Sequence, residues 1–312
     1  MDGETLNIRK MIAENNKKKQ SKLRFERFIP VLLLLIASVS IFTTVAIIYI
    51  LVTESFKFFQ IVPIIDFFTG TVLKPLSATP SFGVIPLLLG TFTSSFIAIL
   101  VALPIGLLSA IYLSEYAPQK VSNLCKPILE LLAGIPTIVY GFFAFTFVTP
   151  MLKYLIPGLE ATNILSPGIV MGVMITPMIA SLSEDAMRSV PNHLREGALA
   201  MGSTKLEVVM KIIIPSAISG IIASVVLAIS RAIGETMIVT IASGSTKNLT
   251  FDVTQSMQTM TAYIVEVTGG DAPAGSTIYY SLYAVALTLF TFTFLMNIIA
   301  NYISKKYKAQ YE

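Results

Sequence analysis

The sequence predicts an all-α polytopic membrane protein with six transmembrane helices, and three observations carry that expectation. Charged residues make up 13% of the 312, hydrophobic ones make up 54%, and the mean hydropathy is +0.76. A soluble globular chain carries about 25% charge, so roughly half is missing. Second, six apolar runs approach or exceed the ~20 residues needed to span hydrocarbon; they lie at 28–52, 84–113, 128–149, 167–183, 214–242 and 278–303. Third, the basic residues segregate. With the N-terminus inside, seventeen Lys/Arg fall on inner segments, four on outer ones (Lys57, Lys74, Lys153, Lys247), and Arg231 lies within a span. That asymmetry is the one that retains cationic loops in the cytoplasm, so both termini are expected there.

Residues 1–27 hold eight Lys/Arg. Directly before an apolar run, such a stretch reads as a cytoplasmic tail rather than a nucleic-acid site. The run from Phe28 is too long for a signal-peptide core and reads as a permanent anchor. The stretch Phe56–Phe68 is apolar but interrupted by Lys57, Pro63 and Asp66. It is expected to be an interfacial or packed external segment, not a seventh span. The fourth run is the shortest. Pro104 and Gly106, Gly134 and Pro136, and Pro177 interrupt the second, third and fourth runs. In lipid the freed backbone groups need partners within the protein, so these breaks serve either helix packing or the lining of a pathway. Outside, Thr254–Ile264 is expected to form a short helix before a turn at Gly269–Pro273. The chain ends on a second short tail, 304–312.

Several chemistries are excluded. One cysteine, Cys125, allows no intramolecular disulfide and no thiolate cluster. The single histidine, His193, lacks metal-ligand spacing. No nucleophile–base constellation is apparent, and no G-x4-G-K-[ST] phosphate loop occurs; Gly202–Lys205 and Gly244–Lys247 lack its upstream glycine and its order. No cofactor is called for.

Two features stand out against this scaffold. Between the fourth and fifth runs, Pro191 suits the first turn of a short helix, Gly202 suits a left-handed C-terminal turn, and Thr204 with Glu207 fits a capping box. Two cytoplasmic helices meeting at a glycine are therefore expected, as a well-ordered loop or as a docking element. In the fifth run, Arg231 is a charge inside the membrane, where insertion costs about 2.5–3.5 kcal/mol and a partner is demanded. Glu235 follows at i+4, on the same face of a continuous helix. The pair reads either as a structural salt bridge or as an anion contact. A guanidinium offers a tetrahedral oxyanion two parallel hydrogen bonds, and Glu235 can accept the proton of a partly protonated one.

The order Glu196-x-Ala198-x3-Gly202-x9-Ile212-x-Ile214-Pro215 resembles the EAA loop of ABC-importer permeases, whose consensus is E-A-A-x3-G-x9-I-x-L-P. Gly197 and Ile214 are its two small departures. Ala133–Gly141, Ser230–Met237 and Leu113–Pro118 are similar to the phosphate-specific ABC importer permeases. Thr261–Val265 and Gly270–Pro273 resemble the C-type subunit more than its A-type partner. The likeness covers about 82–303, leaving 1–27, the first span with its external segment (28–81) and 304–312 outside it. Glu184-Asp185 departs from the family, which tends to place an arginine nearby.

The resemblance implies a type I ABC importer permease fold, with loop 188–215 acting as the coupling element for a separate ATPase through Glu196, Ala198, Gly202 and Pro215. It implies inorganic phosphate as substrate, passing Arg231 and Glu235 by alternating access. The implied partners are a sister permease, ATPase subunits and an extracytoplasmic phosphate-binding protein. A different oxyanion, sulfate or molybdate, stays open, as does a secondary symporter, which leaves the EAA-like loop without a role.

Overall fold

A computed structural model describes the backbone of residues 2–308 except 248 and 271, and side chains at 29–300, with the same exceptions, and at 302. In chain order it comprises α1 (Asp2–Ile61), α2 (Ile64–Thr69), a hairpin of β1 (Leu73–Lys74) and β2 (Ser81–Phe82), and α3 (Ile85–Ile111). Next come α4 (Gln119–Ala133), α5 (Thr137–Phe143), α6 (Thr149–Leu155), α7 (Leu165–Arg188), α8 (Asn192–Ala200) and α9 (Lys205–Val208). The last are α10 (Ile214–Ile233), α11 (Met237–Ala242), α12 (Met260–Gly269) and α13 (Thr277–Lys308). Wider π-helical turns prolong α3 (Tyr112–Tyr116) and join α5 to α6 and α9 to α10. Six segments are long and apolar enough to cross a membrane: Ile29–Ile61, Ile85–Tyr116, Thr137–Leu155, Leu165–Arg188, Lys205–Ile233 and Thr277–Ala300. The six-span, all-α expectation holds among the described residues.

Two units can be described separately, 1–53 and 54–312. In the first, α1 exposes apolar side chains on all sides from Val31 to Val52, as a lipid-facing helix does. In the second, Phe58 at the end of α1 and Phe67 on α2 are both buried, with ring centroids 5.5 Å apart at 75°. Pro63 separates their helices. The stretch 56–68 is thus part span and part packed segment, joined with Phe82, Leu87, Met260 and Tyr263 in one apolar cluster.

The fourth span is the most enclosed. In α7, 61% of the most apolar window is buried, against 28% or less in every other span. Its modest hydropathy has a physical reason, since a helix surrounded by protein rather than lipid can carry Gly and Ser. Glycine lets backbones approach in membranes. A β-carbon on Gly172 would lie 2.8 Å from the Ala98 carbonyl oxygen, and one on Gly168 would meet Ile97. Met171, Met174, Ile175 and Ile179 then pack on Ala98, Ala102, Ala228 and Ile238 in the central core.

Three expectations need correction. The third run, 128–149, is broken at Gly134–Pro136; its first part belongs to the separate helix α4, and the span is 137–155. The fifth run, 214–242, is broken at Gly234–Thr236, with α10 on one side and α11 on the other. Between the last two spans, the helix begins at Met260, not Thr254. Thr259 caps it by accepting the Ala262 amide at 3.2 Å, and the residues before it form a turn at 253–255 and irregular chain at 256–259. Asp271 of the expected turn lies outside the described residues.

Candidate functional site

The loop between α7 and α10 has the local structure that its residues dictate. Pro191 precedes α8 at φ −57°, ψ 136°. Gly202 takes φ +88°; its amide donates to Leu199 O at 3.0 Å and the Ser203 amide to Ala198 O at 3.2 Å, which closes a Schellman turn. The Thr204 hydroxyl accepts the Glu207 amide at 3.3 Å, and the Glu207 carboxylate accepts the Thr204 amide at 2.9 Å. Beneath lies a core of Met187, Val190, Val208, Val209, Ile213 and Ala217, against which half-buried Ala198 packs.

α8 buries no residue. Glu196 and Gly202 are exposed, Pro215 half-buried. Leu194, Leu199, Met201 and Leu206 are exposed, Met201 at 87%. A rigid turn presenting apolar side chains to water has the character of a contact surface.

Sequence reasoning missed what holds this turn to the spans. Arg195 donates to Val190 O (2.8 Å), Asn192 Oδ1 (2.8 Å), Met187 O (2.6 Å) and Glu115 Oε1 (3.2 Å). The Lys205 ammonium sits 4.8 Å from the centroid of the Tyr116 ring. Glu184, fully buried near the end of α7, is clasped by Arg188 and by Lys126 of α4, whose Nζ lies 2.5 Å from Oε2. The Glu184 carboxylate beside Lys126 holds its ammonium above the usual lysine range. Glu184-Asp185, read in sequence only as a departure from the family, is therefore an anchor for α4. The motif Leu113–Pro118 was the one signal of this corner; the partners lie about eighty residues away and leave no periodic trace.

In the fifth span the structure separates Arg231 from Glu235. α10 stops at Ile233, so the i+4 geometry of a continuous helix is not available. Glu235, 8% exposed, turns into the break, where Oε1 accepts the amides of Thr236 (3.0 Å), Met237 (3.0 Å) and Ile238 (3.4 Å). It thereby caps α11, the position where a carboxylate is favoured by the helix dipole. Its own carbonyl accepts the Thr261 hydroxyl at 2.7 Å. Arg231, in the last turn of α10, is exposed and forms no ion pair among the described residues. The salt-bridge reading of this pair is thus not what the chain adopts.

Three hydroxyls on α3 and α7 are engaged within the protein. Thr91 donates to Leu87 O (2.8 Å) and accepts the Met260 amide (3.0 Å). Ser94 donates to Thr91 O at 3.0 Å, and Thr176 to Gly172 O at 2.8 Å. Among the described residues no group of three or more His, Cys, Asp or Glu could hold a metal.

A six-span bundle with a broken charged span and a helix–turn–helix between its fourth and fifth spans defines the class: a multi-pass ABC importer permease. The model of the binding-protein-dependent transport system inner membrane component matches residues 102–309, and the chain belongs to that family. It is 34% identical over 244 residues to a probable ABC transporter permease protein, YqgH, of Bacillus subtilis, covering 78% of this chain and 79% of that one. It is 33% identical to the phosphate transport system permease protein PstC of Mesorhizobium japonicum (78% and 80% covered). It is 32% identical to the probable PstC of Methanocaldococcus jannaschii (81% and 87%). Among solved structures, a bacterial alginate ABC transporter superposes at TM-score 0.59 and 16% identity, covering 82% of this chain and 88% of that one. The methionine ABC transporter MetNI does so at 0.53 and 18%, covering 72% and 94%. At these identities the two structures speak for the fold, that of type I importer permeases.

Proposed function

We propose that the chain is the C-type permease subunit of an ATP-driven importer of inorganic phosphate. The observation that carries this is Arg231, which stands exposed beside a helix break with no ion-pair partner among the described residues. In a membrane such a cation needs a partner, and a guanidinium fork suits a tetrahedral oxyanion. The PstC relatives favour phosphate over sulfate or molybdate. Inward movement of an anion against a negative interior is opposed by about 2.3 kcal/mol per charge per 100 mV, which favours an energised importer over passive flow.

In this reading a sister permease of the A type completes the path, and an extracytoplasmic phosphate-binding protein delivers the ion. ATPase subunits dock on Glu196–Glu207 and drive alternating access. ATP is hydrolysed on those partner chains, since this one lacks the phosphate-binding loop. The exposed apolar side chains of the α8 turn support docking there. A secondary symporter would give that turn no occupant.

The test is the complex reconstituted in liposomes with its binding protein. Phosphate, and not sulfate or molybdate, should stimulate ATP hydrolysis and enter the vesicles. Uptake by this chain alone, without ATPase, would replace the importer with a symporter. Orientation is tested with single cysteines in a Cys125-free background. Gln20, and Gln310 beyond the described residues, should resist an impermeant external thiol reagent, while Thr79 in the external hairpin should react.

A further inference from the structure

We propose that Glu115 is a positioning residue that carries movement of the cytoplasmic turn into the second span. This rests on the reading of Glu196–Glu207 as the ATPase-docking element. Arg195, immediately before that stretch, has four oxygens around its guanidinium. Three belong to Met187, Val190 and Asn192, which weld α8 to the end of α7. The fourth, on Glu115, belongs to another span. The pair is enclosed, with side chains 17% and 9% exposed, so water screens it weakly.

Two more cations flanking the turn reach the same place. Arg188 Nη2 donates to Leu113 O at 3.3 Å, and Lys205 lies over Tyr116. All three converge on the π-helical turn Tyr112–Tyr116 that ends the second span. Such turns are local departures from the helical ladder and recur at functional sites.

What α3 touches elsewhere gives that contact a destination. At its other end Thr91 accepts the amide of Met260, and the adjoining Thr261 holds the Glu235 carbonyl at the break in the fifth span. One helix therefore links the docking turn, through Glu115, to the break beside Arg231. In between, α3 meets α7 at Gly168, Gly172 and Gly106, where close approach of backbones leaves little slack.

The experiment uses the whole reconstituted complex carrying Glu115→Ala, Glu115→Gln or Glu115→Asp. Two quantities are read: ATPase retained on purification, and phosphate delivered per ATP hydrolysed. Glu115→Ala should retain the ATPase at the wild-type ratio yet deliver less phosphate per ATP, by between about twofold and thirtyfold. Glu115→Asp, which keeps the carboxylate, should recover most of that loss. If Glu115→Ala does not insert, Glu115→Gln, of the same size, should show the same fall. An unchanged phosphate-to-ATP ratio in an assembled variant overturns the proposal, and so does a loss that Asp fails to recover. Loss of the ATPase from the Glu115 variants overturns it too, because Glu115 would then belong to the docking surface. Failure of the underlying reading looks different: Gly202→Val would keep its ATPase and its transport.

Discussion

The Thr261 hydroxyl donates to the main-chain carbonyl of Glu235 at 2.7 Å, tying the start of α12 to the break in the fifth span. A carbonyl at a helix break has lost its helical donor, and a buried one left unpaired costs about 1–3 kcal/mol. Thr261→Val has the shape of threonine without the donor. It should insert, melt at a lower temperature and transport less phosphate, and Thr261→Ser should restore both. Uptake normalised to inserted complex, with melting in detergent, checks this. Wild-type values for the valine variant would leave the bond without consequence.

Gly202 takes φ +88°, and no atom lies within 4 Å of where its β-carbon would be. The strain of a substitution is therefore conformational and not a clash. A β-branched residue there is disfavoured by about 1–2 kcal/mol, enough to open the Schellman turn and misplace Met201. Gly202→Val should insert normally but fail to retain the ATPase on purification. Retention of both ATPase and uptake would move the docking element elsewhere.

Much of this was legible in the residues, and the misses share a cause. The turn at Gly202 was readable because capping chemistry is local: Thr204, Glu207 and Gly202 each act within five residues. The spans were readable because hydropathy averages over many positions. The break at Gly234 was not, since Ile233 and Met237–Val239 keep the apolar pattern on both sides. What ends α10 is a carboxylate accepting the next helix's amides, an event hydropathy does not record. Glu115 and Arg195 lie 80 residues apart, and only the packing of α3 along α7 brings them together.

The Glu184 corner predicts a pH dependence. The ordinary lysine value is 10.5, and Lys126 titrates above it in the folded chain because the Glu184 carboxylate stabilises its ammonium. A raised pKa contributes stability that is fully present below about pH 10.5 and is lost as pH rises through the folded value. Melting temperature should thus carry a constant, full contribution from this pair between pH 7 and 9 and decline above about 10.5. Glu184→Gln should lower the plateau and flatten the decline. Because Lys126 and Arg188 are 31% and 36% exposed, the loss should fall at or below the ~3–5 kcal/mol seen when a fully buried pair is broken. A decline above pH 10.5 of equal size in both proteins would assign it to other groups.

Arg231 and Glu235 are separable by substitution because each has its own surroundings. Arg231→Lys keeps the charge and loses the planar fork. If Arg231 meets phosphate, hydrogen bonds to a charged group worth about 1.5–3 kcal/mol are at stake, and uptake should fall by about tenfold or more. If instead it meets a carboxylate of the sister subunit, lysine serves as well and uptake stays near normal. Glu235→Gln retains an oxygen able to accept the amides of Thr236 and Met237, and loses only the charge at the start of α11. That change costs about 0.3–1 kcal/mol, so the subunit should fold and assemble. Its transport should change, because the break beside Arg231 then carries one negative charge fewer. Phosphate uptake normalised to inserted complex decides the matter. Near-normal uptake by Arg231→Lys, together with loss of folded protein in Glu235→Gln, would return both residues to the scaffold.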